Sequence, residues 1–201
     1  MITYAQVITE YFDFIDKNDL DKLNDINGKM IEEQTDYYKY ISALEELKKK
    51  YPQVSKIYNL LAACYQDANE YEKAESLVFE QYEKFPDYLF AKINIAEYHL
   101  KEGKLEEVER IFDGKFNLKQ LYPERDVFHV SEATAFISLC GRYFLRKGNI
   151  MKANLYLDML YEFQDPNHPA IQILSSQIQS CTSKILDYVL NKVEIPLNSN
   201  L

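Results

Sequence analysis

A proline recurs behind an aromatic residue at near-constant intervals. Tyr51-Pro52, Phe85-Pro86 and Tyr122-Pro123 are 34 and 37 residues apart, and a weaker copy, Asp165-Pro166, follows after 43. A second landmark keeps pace with the first. Asn69, Gly103 and Gly148, spaced by 34 and 45, each fall midway between stretches with helical apolar spacing. A period in this range marks a repeated two-helix unit that cannot bury its apolar face alone and must stack on a neighbour.

Within the first unit Tyr58, Leu61, Ala62 and Tyr65 lie at i, i+3, i+4 and i+7, one face of a helix. Asp67-Ala-Asn-Glu70 reads as a turn, and Tyr71, Ala74 and Val78 mark the buried face of a second helix running towards Phe85-Pro86. Proline lacks the amide hydrogen to continue a helix and pushes its predecessor out of helical geometry. The second unit repeats the scheme with Ile95, Ala96, His99, Gly103, Leu105, Val108 and Phe112, and the third with Ile137, Cys140, Gly141, Phe144, Gly148, Ile150, Ala153 and Leu157. Ala62, Ala96 and Gly141 share one position, where a small side chain lets two helices approach closely.

These residues resemble the tetratricopeptide repeat (TPR) family, through Tyr58, Leu61, Ala62, Tyr65, Tyr71, Ala74 and Pro86. Lys92 departs from the bulky residue that opens the pattern. The resemblance implies an all-α, right-handed solenoid of antiparallel helix pairs, with units at 55–88, 89–122 and 134–167 and an insertion near 113–133. The insertion is either a surface loop or an early start of the third unit's first helix, and the helix is favoured because Val127, Val130 and Thr134 hold helical spacing. Residues 1–54 read as a divergent acidic helical cap, with Ala5, Ile8, Phe12 and Ile15 on one face of a helix near 2–16, a weak helix near 20–33, and Tyr37, Tyr40, Leu44 and Leu47 on a third. At the other end Ile171, Leu174, Ile178, Cys181, Ile185 and Tyr188 alternate by three and four. They predict an amphipathic capping helix over 170–195, followed by a disordered tail at 196–201.

Of the net charge of −9, −6 lies in residues 1–36. An acidic chain without a basic stripe disfavours nucleic acid and anionic membrane as partners. The N-terminus has no basic region before an apolar run, and no apolar stretch is long enough for a membrane span. Three widely spaced cysteines (Cys64, Cys140, Cys181) suit reduced thiols in a cytoplasmic protein better than a disulfide framework. His99, His129 and His168 sit in different units with no partner at metal-ligand spacing, and His99 falls at a packing position. Asp16-Lys-Asn-Asp-Leu-Asp21 opens like a calcium loop, but Leu20, Asp21 and Asn27 stand where the loop needs a ligand, a glycine and a bidentate glutamate. Neither a metal nor a cofactor is expected, and no catalytic motif stands out.

By position in the repeat, the first helices would line a concave groove with Asn59, Ala63 and Gln66, then Asn94, Glu97 and Lys101, then Ser138, Arg142 and Arg146. Asparagine amides both donate and accept, which is the chemistry an extended peptide backbone requires. The carboxylate clamp of chaperone-binding TPR domains is not expected, since Asn59, Ala63, Asn94, Ala135 and Leu139 stand at its positions and only Asn94 agrees. The expectation is a non-enzymatic protein-interaction module that takes a peptide or helix of a partner. The alternatives are a secretion or assembly chaperone with an apolar groove from Leu60, Leu100, Leu139 and Leu145, and, behind it, an enzyme built on helical hairpins. The C-terminal stripe also allows a homodimer.

Overall fold

The computed structural model describes residues 1–4, 14–32 and 37–192, without the side chains of 31 and 32. Among these residues the chain is all-α. The helices are α1 (Lys17–Glu32), α2 (Ile41–Lys50), α3 (Ser55–Asp67), α4 (Tyr71–Lys84), α5 (Leu89–Lys101), α6 (Leu105–Ile111), α7 (Leu118–Leu121), α8 (Val130–Arg146), α9 (Ile150–Tyr161) and α10 (Pro169–Lys192). Two short strands, β1 (Ile2–Thr3) and β2 (Phe128–His129), pair in parallel. The chain divides into two compact units, Met1–Glu132 and Ala133–Leu201.

The periodic landmarks are geometric equivalents. Asn69, Gly103 and Gly148 all have positive φ (60°, 72° and 75°). At each the same pair of bonds closes the preceding helix: Glu70 N–H donates to Tyr65 O and Asn69 N–H to Gln66 O, and the bonds recur at 104→99 with 103→100 and at 149→144 with 148→145. This is the Schellman cap, whose left-handed residue is most often glycine, sometimes asparagine. The aromatic-proline landmarks are also equivalent. Tyr51, Phe85 and Tyr122 share φ near −130° with ψ of 63°, 59° and 76°, outside the helical region that the following proline disfavours. Val54 N–H then bonds Tyr51 O, Tyr88 N–H bonds Phe85 O, and Arg125 N–H bonds Tyr122 O, closing one turn around each proline.

In the first unit α3 packs on α2 and α4, and α5 packs on α4, α6 and α3. Tyr58, Leu61, Ala62 and Tyr65 are buried as their spacing predicts, with Ala74, Leu77 and Val78 opposite them. In the second unit α9 packs on α10, and Gly141 of α8 meets both: a Cβ there would lie 2.5 Å from Leu174 Cδ2 and 3.2 Å from Tyr156 Cβ. The small-residue position is therefore a true close approach in that unit.

Three expectations need correction. Tyr71 is exposed, not on the buried face of α4; its hydroxyl donates to Asn69 Oδ1 at 2.6 Å. α6, the second helix of the 89–122 repeat, ends at Ile111, and Asp113 (φ 52°) and Gly114 (φ 66°) close it with a further Schellman cap. The insertion is only partly an early helix. α8 begins at Val130, four residues before Thr134, but Val127 lies outside it and residues 128–129 form β2. There Glu132, at the third helical position, accepts from His129 N–H at 2.9 Å while His129 Nδ1 accepts from Ser131 N–H, a capping box with histidine as the cap. Lastly, the helix expected over 2–16 opens with β1; Ala5, Ile8 and Phe12 lie outside the described residues, as does the tail at 196–201. The helix near 20–33 is α1 and the capping helix is α10.

Candidate functional site

Six of the nine groove residues fall in the first unit, and the structure joins two of them. Asn94 Nδ2 donates to Asn59 Oδ1 at 2.8 Å, tying α5 to α3, and also to Gln81 Oε1 at 3.1 Å on α4. Gln81 is fully buried and its own amide donates to Ser55 O at 3.0 Å. Both N–H bonds of the Asn94 amide are thus used to satisfy neighbouring side chains, not held out for a peptide. A chain of three amides across three helices is costly to leave incomplete, since a buried unpaired polar group loses about 1–3 kcal/mol. Ala63 and Glu97 are half-buried, and Gln66 and Lys101 are exposed. In the second unit Ser138 is buried, Arg142 half-buried and Arg146 exposed. Leu60, Leu100 and Leu139 belong to the core, so they supply no apolar groove, while Leu145 is half-buried.

A cleft of about 480 Å³ opens on another face of α3, between α2 and α4. Tyr58, Leu61 and Tyr65 form its floor; Glu45, Lys48, Lys49 and Pro52 line one side, and Lys73, Ser76, Leu77, Glu80 and Lys84 the other. Lys48 Nζ lies 2.5 Å from Glu80 Oε2, and Lys84 Nζ 2.8 Å from Glu80 Oε1. Both ammonium groups also approach the Tyr58 ring, at 4.9 and 5.4 Å from its centroid, close enough for cation–π attraction. Burial pushes the Glu80 carboxyl up, but the two lysine hydrogen bonds outweigh it and hold the group below its ordinary range. Tyr65 donates to Glu45 Oε1 at 2.6 Å; burial, then this bond, raises its hydroxyl. Lys73 pairs with Glu70 and lies 5.4 Å from the Tyr65 ring. Lys49 is exposed at the rim. Four lysines against two glutamates give this lining a surplus of positive charge in a chain of −9.

The cleft escaped the sequence reading for a definite reason. Lys48, Lys49, Lys73 and Lys84 lie on α2 and α4, whereas the sequence reading drew its groove residues from the first helix of each repeat.

The histidines and the acidic run have local roles. His129 and His168 cap α8 and α10, with His168 Nδ1 accepting from Ala170 N–H at 3.1 Å. His99 packs edge-on to Phe79 and Tyr98, but its Nδ1 is buried without a hydrogen-bond partner, and burial lowers its pKa. Asp16 and Asp19 both face Lys50, at 2.5 and 2.7 Å, and each lies 2.8 Å from the Tyr51 hydroxyl. The run that opens like a calcium loop therefore fastens α1 to the end of α2. Cys64, Cys140 and Cys181 are free thiols; burial raises the first to about 12. Among the described residues no three His, Cys, Asp or Glu side chains gather as a metal site, and no helix is long and apolar enough to cross a membrane.

No protein-family model, curated protein or solved structure matches this chain.

Proposed function

We propose that this protein is a non-enzymatic interaction module, a TPR-like right-handed solenoid of antiparallel helix pairs, and that its α2–α3–α4 cleft takes an extended acidic segment of a partner protein. Three equivalent Schellman caps and three equivalent aromatic-proline turns support the repeat. The observation that carries the ligand class is the lysine surplus around Tyr58 and Tyr65. A carboxylate about 4 Å from an ammonium near a protein surface gains up to roughly 4 kcal/mol before desolvation. Repulsion from the distant acidic residues is screened beyond about 8–10 Å at physiological salt. The local field therefore outweighs the net charge. The volume suits a few side chains of an extended peptide.

The test uses fluorescein-labelled octa-glutamate, with octa-lysine beside it, in an anisotropy titration begun at physiological salt and repeated with added salt. The reading predicts that octa-glutamate binds, that salt weakens it, and that Lys49→Glu/Lys73→Glu reduces affinity by roughly tenfold or more. Both side chains are exposed at the rim, so the fold is expected to persist. Failure of octa-glutamate to bind, equal binding by the variant, or a preference for octa-lysine would each sink the acidic-segment reading.

A further inference from the structure

Helix α10 changes character along its length. Its first thirteen residues repeat the setting of α3. His168 N–H donates to Asp165 O at 2.8 Å, as Val54 N–H does to Tyr51 O at 3.1 Å. Gln172 Nε2 donates to Pro166 O at 2.8 Å, where Tyr58 donates to Pro52 O at 2.9 Å. In this register Ile57, Leu60 and Cys64 correspond to Ile171, Leu174 and Ile178, and all six are buried. The other buried face of α3, Leu61, Ala62 and Tyr65, corresponds to Ser175, Ser176 and Gln179, of which the last two are exposed. This part of α10 is a cap: it covers the preceding helices with one face and offers a polar face where the next helix would pack.

Cys181 matches Asp67, the last residue of α3, yet α10 runs on for eleven residues to Lys192. This overhang is about 16 Å long at the helical rise. Its large apolar side chains are uncovered: Ile185 is 49% exposed, Leu186 56%, Tyr188 60%, Val189 45% and Leu190 62%. Ile185 and Tyr188 continue, at three-four spacing, the row that Ile171, Leu174 and Ile178 bury upstream. Together they expose on the order of several hundred Å² of apolar surface, at the upper end of what a monomer leaves bare.

We propose that the overhang of a second copy of this chain covers it, the two helices lying antiparallel about a twofold axis. Two such patches bury roughly 1,000 Å² in total, the lower bound of a specific interface. Charge favours self-pairing here above elsewhere. Residues 169–192 carry Lys184, Asp187 and Lys192, a net of +1, while the whole chain is −9, so two copies repel least through this helix. The antiparallel arrangement places the folded bodies at opposite ends of a short helix pair, whereas a parallel one crowds them together. The contact is isologous and closes at two copies.

Sedimentation equilibrium on the full chain, from low micromolar to sub-millimolar concentration, tests this. The expected result is a monomer–dimer equilibrium that tightens with added salt as the −9 charges are screened. Ile185→Asp/Tyr188→Asp should weaken it by roughly tenfold or more. Gln172→Asp/Gln179→Asp, on the polar face, should leave it unchanged, with helicity by circular dichroism verifying both folds. A monomer at every concentration overturns the proposal. So does a dimer indifferent to the overhang variant, or one lost equally with the polar-face variant.

Discussion

The Asn94 amide decides how much of the first unit's interior is polar. Removing it in Asn94→Ala leaves the buried Gln81 Oε1 without its partner, and we expect a loss of about 1–3 kcal/mol in urea unfolding. Asn59→Ala should cost less, because it deletes an acceptor at a half-buried site and leaves the Asn94–Gln81 bond in place. The reverse order of stabilities would contradict this role. Asp16 and Asp19 give a pH signature. Hydrogen bonds from Lys50, then from Tyr51, hold both carboxyls below the ordinary 3.8. Groups with depressed folded values stabilise the fold above the unfolded value and lose that contribution as pH falls through the folded one. The melting temperature should therefore drop below about pH 4 through this cluster, and Lys50→Ala should flatten that part of the profile. His99 adds a second, separate window: its pKa is lowered, so its share of stability fades as pH falls from its ordinary 6.5.

At the level of elements, legibility tracked backbone chemistry. The helices α3 and α5 start at Ser55 and Leu89, where the sequence places them, because proline turns and left-handed caps act through two or three adjacent residues. The insertion was harder to read. Its order comes from side chains meeting at distance: Arg125 grips Glu132 through two nitrogens, at 3.0 and 2.5 Å, and stacks over Phe128 at 4.4 Å, while β1 pairs with β2 across the intervening sequence. Glu132→Ala removes both the capping bond and a nearly buried ion pair and should cost about 2–4 kcal/mol. Gly141 offers a contrast. Alanine gains about 1 kcal/mol of helix propensity over glycine, but its methyl would lie 2.5 Å from the buried Leu174 Cδ2 and 3.2 Å from Tyr156 Cβ, so both neighbours must shift to admit it. Overpacking of about 1–3 kcal/mol should outweigh the gain. Gly141→Ala is expected to lower the second unit's melting temperature, and a rise would show that the α8–α10 approach is loose.

For the molecule as a whole, the class of fold was readable and the candidate site was not. Periodicity reports which residues meet the core, and it placed Tyr58, Leu61, Ala62 and Tyr65 correctly. It says nothing of which polar residues satisfy one another, so the bond from Asn94 to Asn59 was not legible. Charge summed over the chain also hides a cleft whose lining runs against the total. The central claim is that this cleft, and not the asparagine face of α3, receives an acidic segment. Heteronuclear NMR titration of the isotope-labelled full chain with octa-glutamate tests it most directly. The account predicts shift changes concentrated at Lys49, Tyr58, Tyr65 and Lys73, with Asn59, Gln66 and Lys101 unmoved. Changes centred on Asn59, Gln66 and Lys101 would contradict it and return the site to the face of the first helices.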